Sequence, residues 1–305
     1  MQQYRGDILI RDLRKKKGLT QKVLCEGICS RDELSRIERG ERRPRWYVFQ
    51  RLMQRLGENP DRYYVDYVTV ENKRISDAKE KVKQLLRERT EENDREAETL
   101  ISELEQDETF MIEDNTQFLL ECKASLAFHR QDYQATYEHA TTAIKVSKPD
   151  FDEDKIDMYI LTYDEIQLIN QIASAHAHIS SLEKSAEIFI KLKVVLDKHY
   201  LDDSKFPRIY MTLLANISKA LGLLARYEEC MEICDVGISF CKVHGDASFY
   251  PDFLLNKACC LLSLGNRQQD ALRLLEKFYA LLDAYDFTAE IQATKAYLKE
   301  TYSIC

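Results

Sequence analysis

Asparagine is scarce in this sequence, eight in 305 residues, so its placement is informative. Asn170, Asn216 and Asn256 each fall 11 or 12 residues before Leu182, Tyr227 and Gln268, three equivalent turn positions between paired apolar segments. Asparagine is a poor mid-helix residue, because its amide competes for backbone groups. Three of them at one level of consecutive segments therefore need a reason. A carboxamide offers one acceptor and two donors, so a ladder of three would grip an extended peptide by its main chain. The alternative is that these amides satisfy one another or neighbouring helix ends.

Other constellations point to less. His176 and His178 are two residues apart, so on a helix they face different sides and miss the i, i+4 spacing of a helical zinc pair. Cys230 and Cys234 do have that spacing, with Cys241 near the same face. They would suit a thiol sensor or a soft metal, but no basic neighbour obviously lowers their pKa, and packing by small residues explains them better. Carboxylates are plentiful but scattered, with neither a Gly-rich phosphate loop nor a nucleophile elbow. The expectation is a protein that is not an enzyme and holds no metal or cofactor.

The elements that must carry these residues are helical. Hydrophobic residues make up 45% of the chain and charged residues 31%, while Gly (9) and Pro (5) are few. Sheet proteins need frequent turn residues, so this balance predicts an all-α fold. No run of eighteen apolar residues exists and the N-terminus has no apolar signal region, so neither a membrane span nor secretion is expected. Nine cysteines without a CxxC pair fit a reducing, cytoplasmic setting. The net charge of −8 conceals an asymmetry: residues 1–60 hold 15 Lys and Arg against 8 Asp and Glu, and the rest hold 29 against 44. A basic head on an acidic body suggests that only the head meets a polyanion.

The head divides into short helices: Asp7 to Lys17; Gln21 to Glu26, capped by Thr20; Arg31 to Arg39, capped by Ser30 with Glu33 completing a capping box; and a fourth carrying Phe49, Leu52, Met53 and Leu56. A fifth would start near Pro60. Two short helices joined by a turn at Gly27 have the geometry that lays one helix in a major groove. The stretch IRDLRKKKGLTQKVLCEGICSRDELSRIERGERRP closely resembles the lambda-repressor-like (XRE) helix-turn-helix domain over roughly residues 5–57, with LTQ and LSRIERG as its most specific parts. That resemblance implies that Gln21 touches phosphate or a base edge, that Arg31, Asp32 and Arg36 read bases, and that Ser35 contacts phosphate. It also implies that Arg43 and Arg45 hold the backbone or reach the minor groove, and that Arg14 and Glu38 form an internal salt bridge. Arginine suits guanine O6/N7, and aspartate can accept from cytosine N4. Such heads act in pairs on inverted repeats of double-stranded DNA, so the remainder of the chain is expected to supply a homodimer.

From Ser76 the pattern is helix after helix. Ser76–Arg89 and Glu92–Glu105 form a charged first pair, and four further pairs turn at Tyr133, Leu182, Tyr227 and Gln268 before a final helix at Thr288–Tyr302. Turn spacings of 49, 45 and 41 residues fit a degenerate tetratricopeptide array, a right-handed superhelix whose first helices line a concave face. The expected division is a DNA-binding domain at 1–65, a linker at 66–75 and the repeats at 76–305. The segments LTYDEIQLINQIA and FLLECKASLAFHRQDY resemble the Rgg/PlcR (RRNPP) class of peptide-responsive regulators. That resemblance implies a dimerising array that binds a short signalling peptide through asparagines at these positions and thereby changes the placement of the DNA heads. Neighbours on the same faces are Gln167 and Ser174, Lys219, and Phe253 with Lys257. The competing readings are a regulator that answers to a small molecule, a metal or thiol oxidation, and a scaffold that docks a protein partner at DNA.

Overall fold

The computed structural model describes residues 6–60, 70–112, 115–198, 206–265 and 267–304, which are helical and contain no strand. The chain forms two compact units, Met1–Ser204 and Lys205–Cys305. The expected division followed composition, placing a boundary after residue 65. The compact units instead follow packing, and the first holds the basic head together with the first repeats.

The head consists of α1 (Gly6–Lys16), α2 (Gln21–Cys25), α3 (Arg31–Glu38) and α4 (Trp46–Arg55). Thr20 accepts a hydrogen bond from the Val23 N–H at 3.2 Å, and Ser30 accepts one from Glu33 at 3.0 Å, so both expected caps start their helices. The Glu33 carboxylate faces Arg42 at 3.6 Å. Between α2 and α3, Gly27 takes φ +65°, a left-handed conformation that costs an L side chain strain and glycine almost none. The head has its own core, with Ile10, Leu24, Leu34, Ile37, Phe49 and Leu52 fully buried. Each contributes about 1.5–3 kcal/mol relative to exposure, which allows four short helices to persist. The fifth helix expected near Pro60 lies largely outside the described residues.

After the head, α5 (Val70–Glu88) and α6 (Glu91–Gln106) form the charged first pair, followed by the short α7 (Glu108–Ile112). Helix α5 begins six residues before the expected start at Ser76, and Ile75 joins Val82, Ile101 and Phe118 in a shared core. The pairs α8 (Thr116–His129) with α9 (Tyr133–Ser147), and α10 (Tyr163–Ile179) with α11 (Leu182–Lys198), complete the first unit, with a 3-10 helix at Glu153–Met158 between them. The second unit holds α12 (Phe206–Leu223), α13 (Tyr227–His244), α14 (Tyr250–Leu264), α15 (Gln268–Ala284) and α16 (Thr288–Tyr302).

The four anticipated turn positions are the first residues of α9, α11, α13 and α15. A left-handed residue shortly precedes three of these pairings and the last helix: Gln131 (φ 61°), Ala225 (φ 56°), Gly265 (φ 74°) and Asp286 (φ 58°). Such a residue lets the chain reverse direction between antiparallel helices in few residues, and most of these positions lack glycine; the α10–α11 turn reverses without one, through Ser180 at φ −130°. No helix among the described residues is long and apolar enough to cross a membrane.

Candidate functional site

The head presents one face of α3 to the outside. Its buried face, Leu34 and Ile37, is locked in the core, so Arg31, Asp32 and Arg36 fall on the opposite side and are exposed. Among the described residues the side chains of these three make no hydrogen bond or ion pair within the protein. Two guanidiniums and one carboxylate on a single helix face supply the donors and acceptor that base edges require.

The remaining candidates of the head are engaged to different degrees. Arg14 donates from Nε to Glu38 Oε1 at 2.6 Å and from Nη2 to Oε2 at 2.8 Å, which forms the expected bidentate bridge. Gln21 also donates its amide to Glu38 Oε2, at 2.8 Å, and is half-buried. Burial pushes the Glu38 carboxyl up, but the hydrogen bonds from Arg14 and Gln21 overcome it and hold the group below the usual carboxylate range. Gln21 therefore braces the start of α2, and only the rest of its amide faces outward. Ser35 accepts from Arg39 Nη1 at 2.7 Å, which leaves its hydroxyl hydrogen for an outside acceptor. Arg43 and Arg45 are both exposed after α3, and the Arg45 guanidinium lies 5.5 Å from the Tyr47 ring centroid.

In the first unit, α10 carries Gln167, exposed, and Asn170 and Ser174, both half-buried. Ser174 donates its hydroxyl to the Asn170 carbonyl at 2.8 Å, a bond back along the helix. Beside this helix lies a polar group that the sequence did not reveal. Lys79 sits 5.8 and 5.2 Å from the Phe110 and Phe118 ring centroids, and Lys83 sits 3.7 Å from Asp164. Burial pushes Lys79 down to about 8 and Glu121 up to about 7, and the Glu121 Oε2 atom has no hydrogen-bond partner among the described residues. The lysines and the carboxylates lie on three different helices, so no local spacing could have signalled them.

In the second unit, Asn216 on α12 and Asn256 on α14 are half-buried. Asn256 donates Nδ2 to the Ser218 hydroxyl at 2.9 Å, linking α14 to α12. That is the bland task foreseen for these amides, satisfying a neighbouring helix. Lys219 is exposed, and Lys257 is paired with Asp235 of α13. The structure corrects the expectation for Phe253. Its ring is fully buried and sits where a Cβ at Gly237 would approach within 2.5 Å, so it is a core residue closing α13 on α14.

The thiols are buried in the same unit. Cys230 donates to the Ser218 carbonyl at 3.1 Å and is pushed up to about 12, chiefly by its hydrogen bond with Cys234 and by burial. Burial also pushes Cys241 up to about 11. Thiols held this far from the thiolate form are poor nucleophiles and poor metal ligands. Among the described residues no group of three or more His, Cys, Asp or Glu side chains is placed to hold a metal ion.

Comparison with known proteins agrees with this geometry. Residues 8–62 match the family model described as a helix-turn-helix domain, and they are such a domain. No curated protein matches the sequence. Among solved structures, Bacillus thuringiensis PlcR in complex with the peptide PapR7 and DNA is similar, with a TM-score of 0.59 at 21% identity over 95% of this chain and 98% of that one. Its apo form gives 0.56 at 20% identity over 92% and 97%. ComR from S. thermophilus, in complex with DNA and its signalling peptide ComS, gives 0.52 at 17% over 95% and 97%. The chain therefore has the fold of these regulators, a helix-turn-helix head followed by tetratricopeptide-like repeats, along almost its whole length.

Proposed function

We propose that this protein is a sequence-specific DNA-binding transcription regulator whose repeats bind a short signalling peptide and so alter its hold on DNA. The observation that carries the reading is the outward face of α3, where Arg31, Asp32 and Arg36 stand exposed on a helix fixed from behind. Side chains held ready in this way gain base contacts without breaking internal ones, while Ser35, Arg43 and Arg45 supply the phosphate contacts that set register. The basic balance of residues 1–60 adds a salt-dependent attraction.

The peptide half of the reading rests on the placement of Gln167, Asn170, Asn216 and Lys219, exposed or half-buried along their helices, together with Asn256 and Lys257, which bond Ser218 and Asp235. The folds of PlcR and ComR, both solved with a peptide, support it. The active form is a cytoplasmic homodimer on an inverted repeat, since one small head contacts too little duplex for tight binding. The eight cysteines among the described residues are free thiols, which agrees with a reducing compartment. Sensing by thiol oxidation is disfavoured by the upward-shifted, buried thiols.

The test is fluorescence anisotropy of the purified chain against duplexes from its own chromosomal neighbourhood, with salt titrated. The expected result is tight binding to one inverted repeat, with affinity falling steeply as salt rises. Equal, weak binding to every duplex would remove the sequence-specific reading. Calorimetry with peptides encoded beside the gene then tests the ligand, and the Asn216→Ala variant is expected to lose peptide affinity while keeping unliganded DNA binding.

A further inference from the structure

The head and the repeats of the first unit are joined by a buried charge network separated by 110 residues in sequence. Arg55, the last residue of α4, donates Nη2 to Glu165 Oε1 at 3.1 Å, and the two side chains are 1% and 0% exposed. Its Nη1 donates to the Leu24 carbonyl at 3.3 Å and to the Glu26 carbonyl, so one guanidinium closes the end of α2 as well. Glu165 in turn accepts from Ser147, the last residue of α9, at 2.7 Å and from the Thr162 N–H at 2.7 Å, with the Lys148 ammonium 3.8 Å away. The backbones meet at the same place. A Cβ built at Gly27 would stand 1.6 Å from the Ser147 carbonyl oxygen, so the α2–α3 turn lies directly on the end of α9.

Glu165 thus holds three things at once: the cap of its own helix, the end of the preceding helix, and the head. An isolated carboxylate could not be buried in this way, so the arrangement requires the Arg55 charge opposite it. A rigid fork aimed at two carbonyls and a carboxylate also fixes direction, which a lysine would not. The contact leaves Arg31, Asp32 and Arg36 exposed, so it does not cover the base-reading face.

We propose that Glu165 is a positioning residue that pins the DNA-binding head to the first turn of α10, so that the head follows α10 as one body. Gln167 and Asn170 lie on the next turns of that helix. An occupant that shifted α10 would move the recognition helix with it, and this last step alone rests on the peptide reading. The pin itself needs no ligand.

Spin labels on non-natural side chains at Lys16 and Thr142, both exposed, report head placement within the first unit without touching the native thiols. The full-length parent is expected to give one narrow distance population. Glu165→Gln keeps the volume and can still bond Thr162 and Ser147, but it removes the charge opposite Arg55. It is expected to broaden the distance distribution and to speed amide exchange at Leu24–Ile28 by roughly tenfold or more, with Leu34 and Ile37 unchanged. A distribution that stays narrow in folded Glu165→Gln would show that the pair stabilises without positioning, and would overturn the proposal. If that variant does not fold, Arg55→Lys takes its place; it keeps the charge but loses the fork, and must broaden the distribution for the proposal to stand. Neither readout involves a peptide, so a failure here is separate from a failure of the ligand reading.

Discussion

The recognition helix and the asparagine helices place polar side chains in different ways. On α3, the side chains of Arg31, Asp32 and Arg36 are exposed and make no bond among the described residues, while the bonding that stabilises the head runs through Arg14, Gln21 and Glu38. On α10, α12 and α14, the amides are half-buried, and at least Asn256 already serves as a bridge between helices. A face that must read a polyanion can keep its charges in water until contact. Half-buried amides within packed helices have to be satisfied, because buried polar groups without partners cost too much. The first arrangement leaves its side chains in water, and the second ties at least one of its amides to a neighbouring helix.

The largest effect that would sharpen this contrast is expected from Glu38→Ala. Removing one member of a buried bridge leaves Arg14 uncompensated and costs about 3–5 kcal/mol. The sole tryptophan, Trp46, lies in the head and stacks on Phe49 at 5.9 Å, so its fluorescence reports that domain alone. Its denaturation midpoint is expected to fall, and an unchanged midpoint would contradict a head core that depends on this bridge. The same bridge sets a pH dependence. The folded Glu38 carboxyl is held below its ordinary value, so its stabilisation is present above the usual carboxylate range and is lost as pH falls through it toward the folded value. Glu38→Gln is expected to flatten the acid side of the Trp46 transition.

Next in size is the contrast within the DNA face. Arg36→Ala is expected to cost about 1–3 kcal/mol at one base pair and relax specificity there, whereas Arg45→Ala weakens all sequences alike and lowers the salt slope by about one. Competition binding against duplexes substituted at single positions separates the two, and a uniform loss for Arg36→Ala would move it to the phosphate group. Smaller again, Asn256→Ala is expected to lower stability by about 1 kcal/mol, because the Ser218 hydroxyl loses its amide donor. No stability loss on denaturant titration would mean that the bridge does not hold in solution, and would return Asn256 to the ligand-facing set. The smallest change is at the turn before α13: Ala225→Gly should gain about 0.5–1 kcal/mol by relieving φ 56°, less the added freedom of the unfolded chain. An unchanged melting temperature would place that strain elsewhere.

Much of this was legible beforehand. The caps at Thr20 and Ser30 and the starts of α9, α11, α13 and α15 obey short-range rules, since helix signals act within a turn or two of chain, whereas the Arg14–Glu38 bridge, 24 residues apart, was implied only by the family resemblance. Phe253 was misjudged because a 3.6-residue period gives a side chain's direction but not what it meets, and the absent side chain at Gly237 makes the space that its ring fills. Lys79, Lys83 and Glu121 went unseen for a related reason, since they gather from separate helices. Thr162 and Glu165 show the limit most clearly. The structure closes a capping box between them, yet nothing local reveals that the same carboxylate also holds Arg55.

By itself, then, the sequence determined the all-α class, the helix-turn-helix head, the turn positions of the repeats and the exposed arginines of α3, because propensity, capping and periodicity are properties of neighbouring residues. Only the tertiary structure decided which polar groups are already partnered, which ring closes which helix pair, and how the head rests on α9 and α10. Those outcomes depend on burial and on contacts between distant segments, where desolvation makes each charge choose a partner that sequence distance does not constrain.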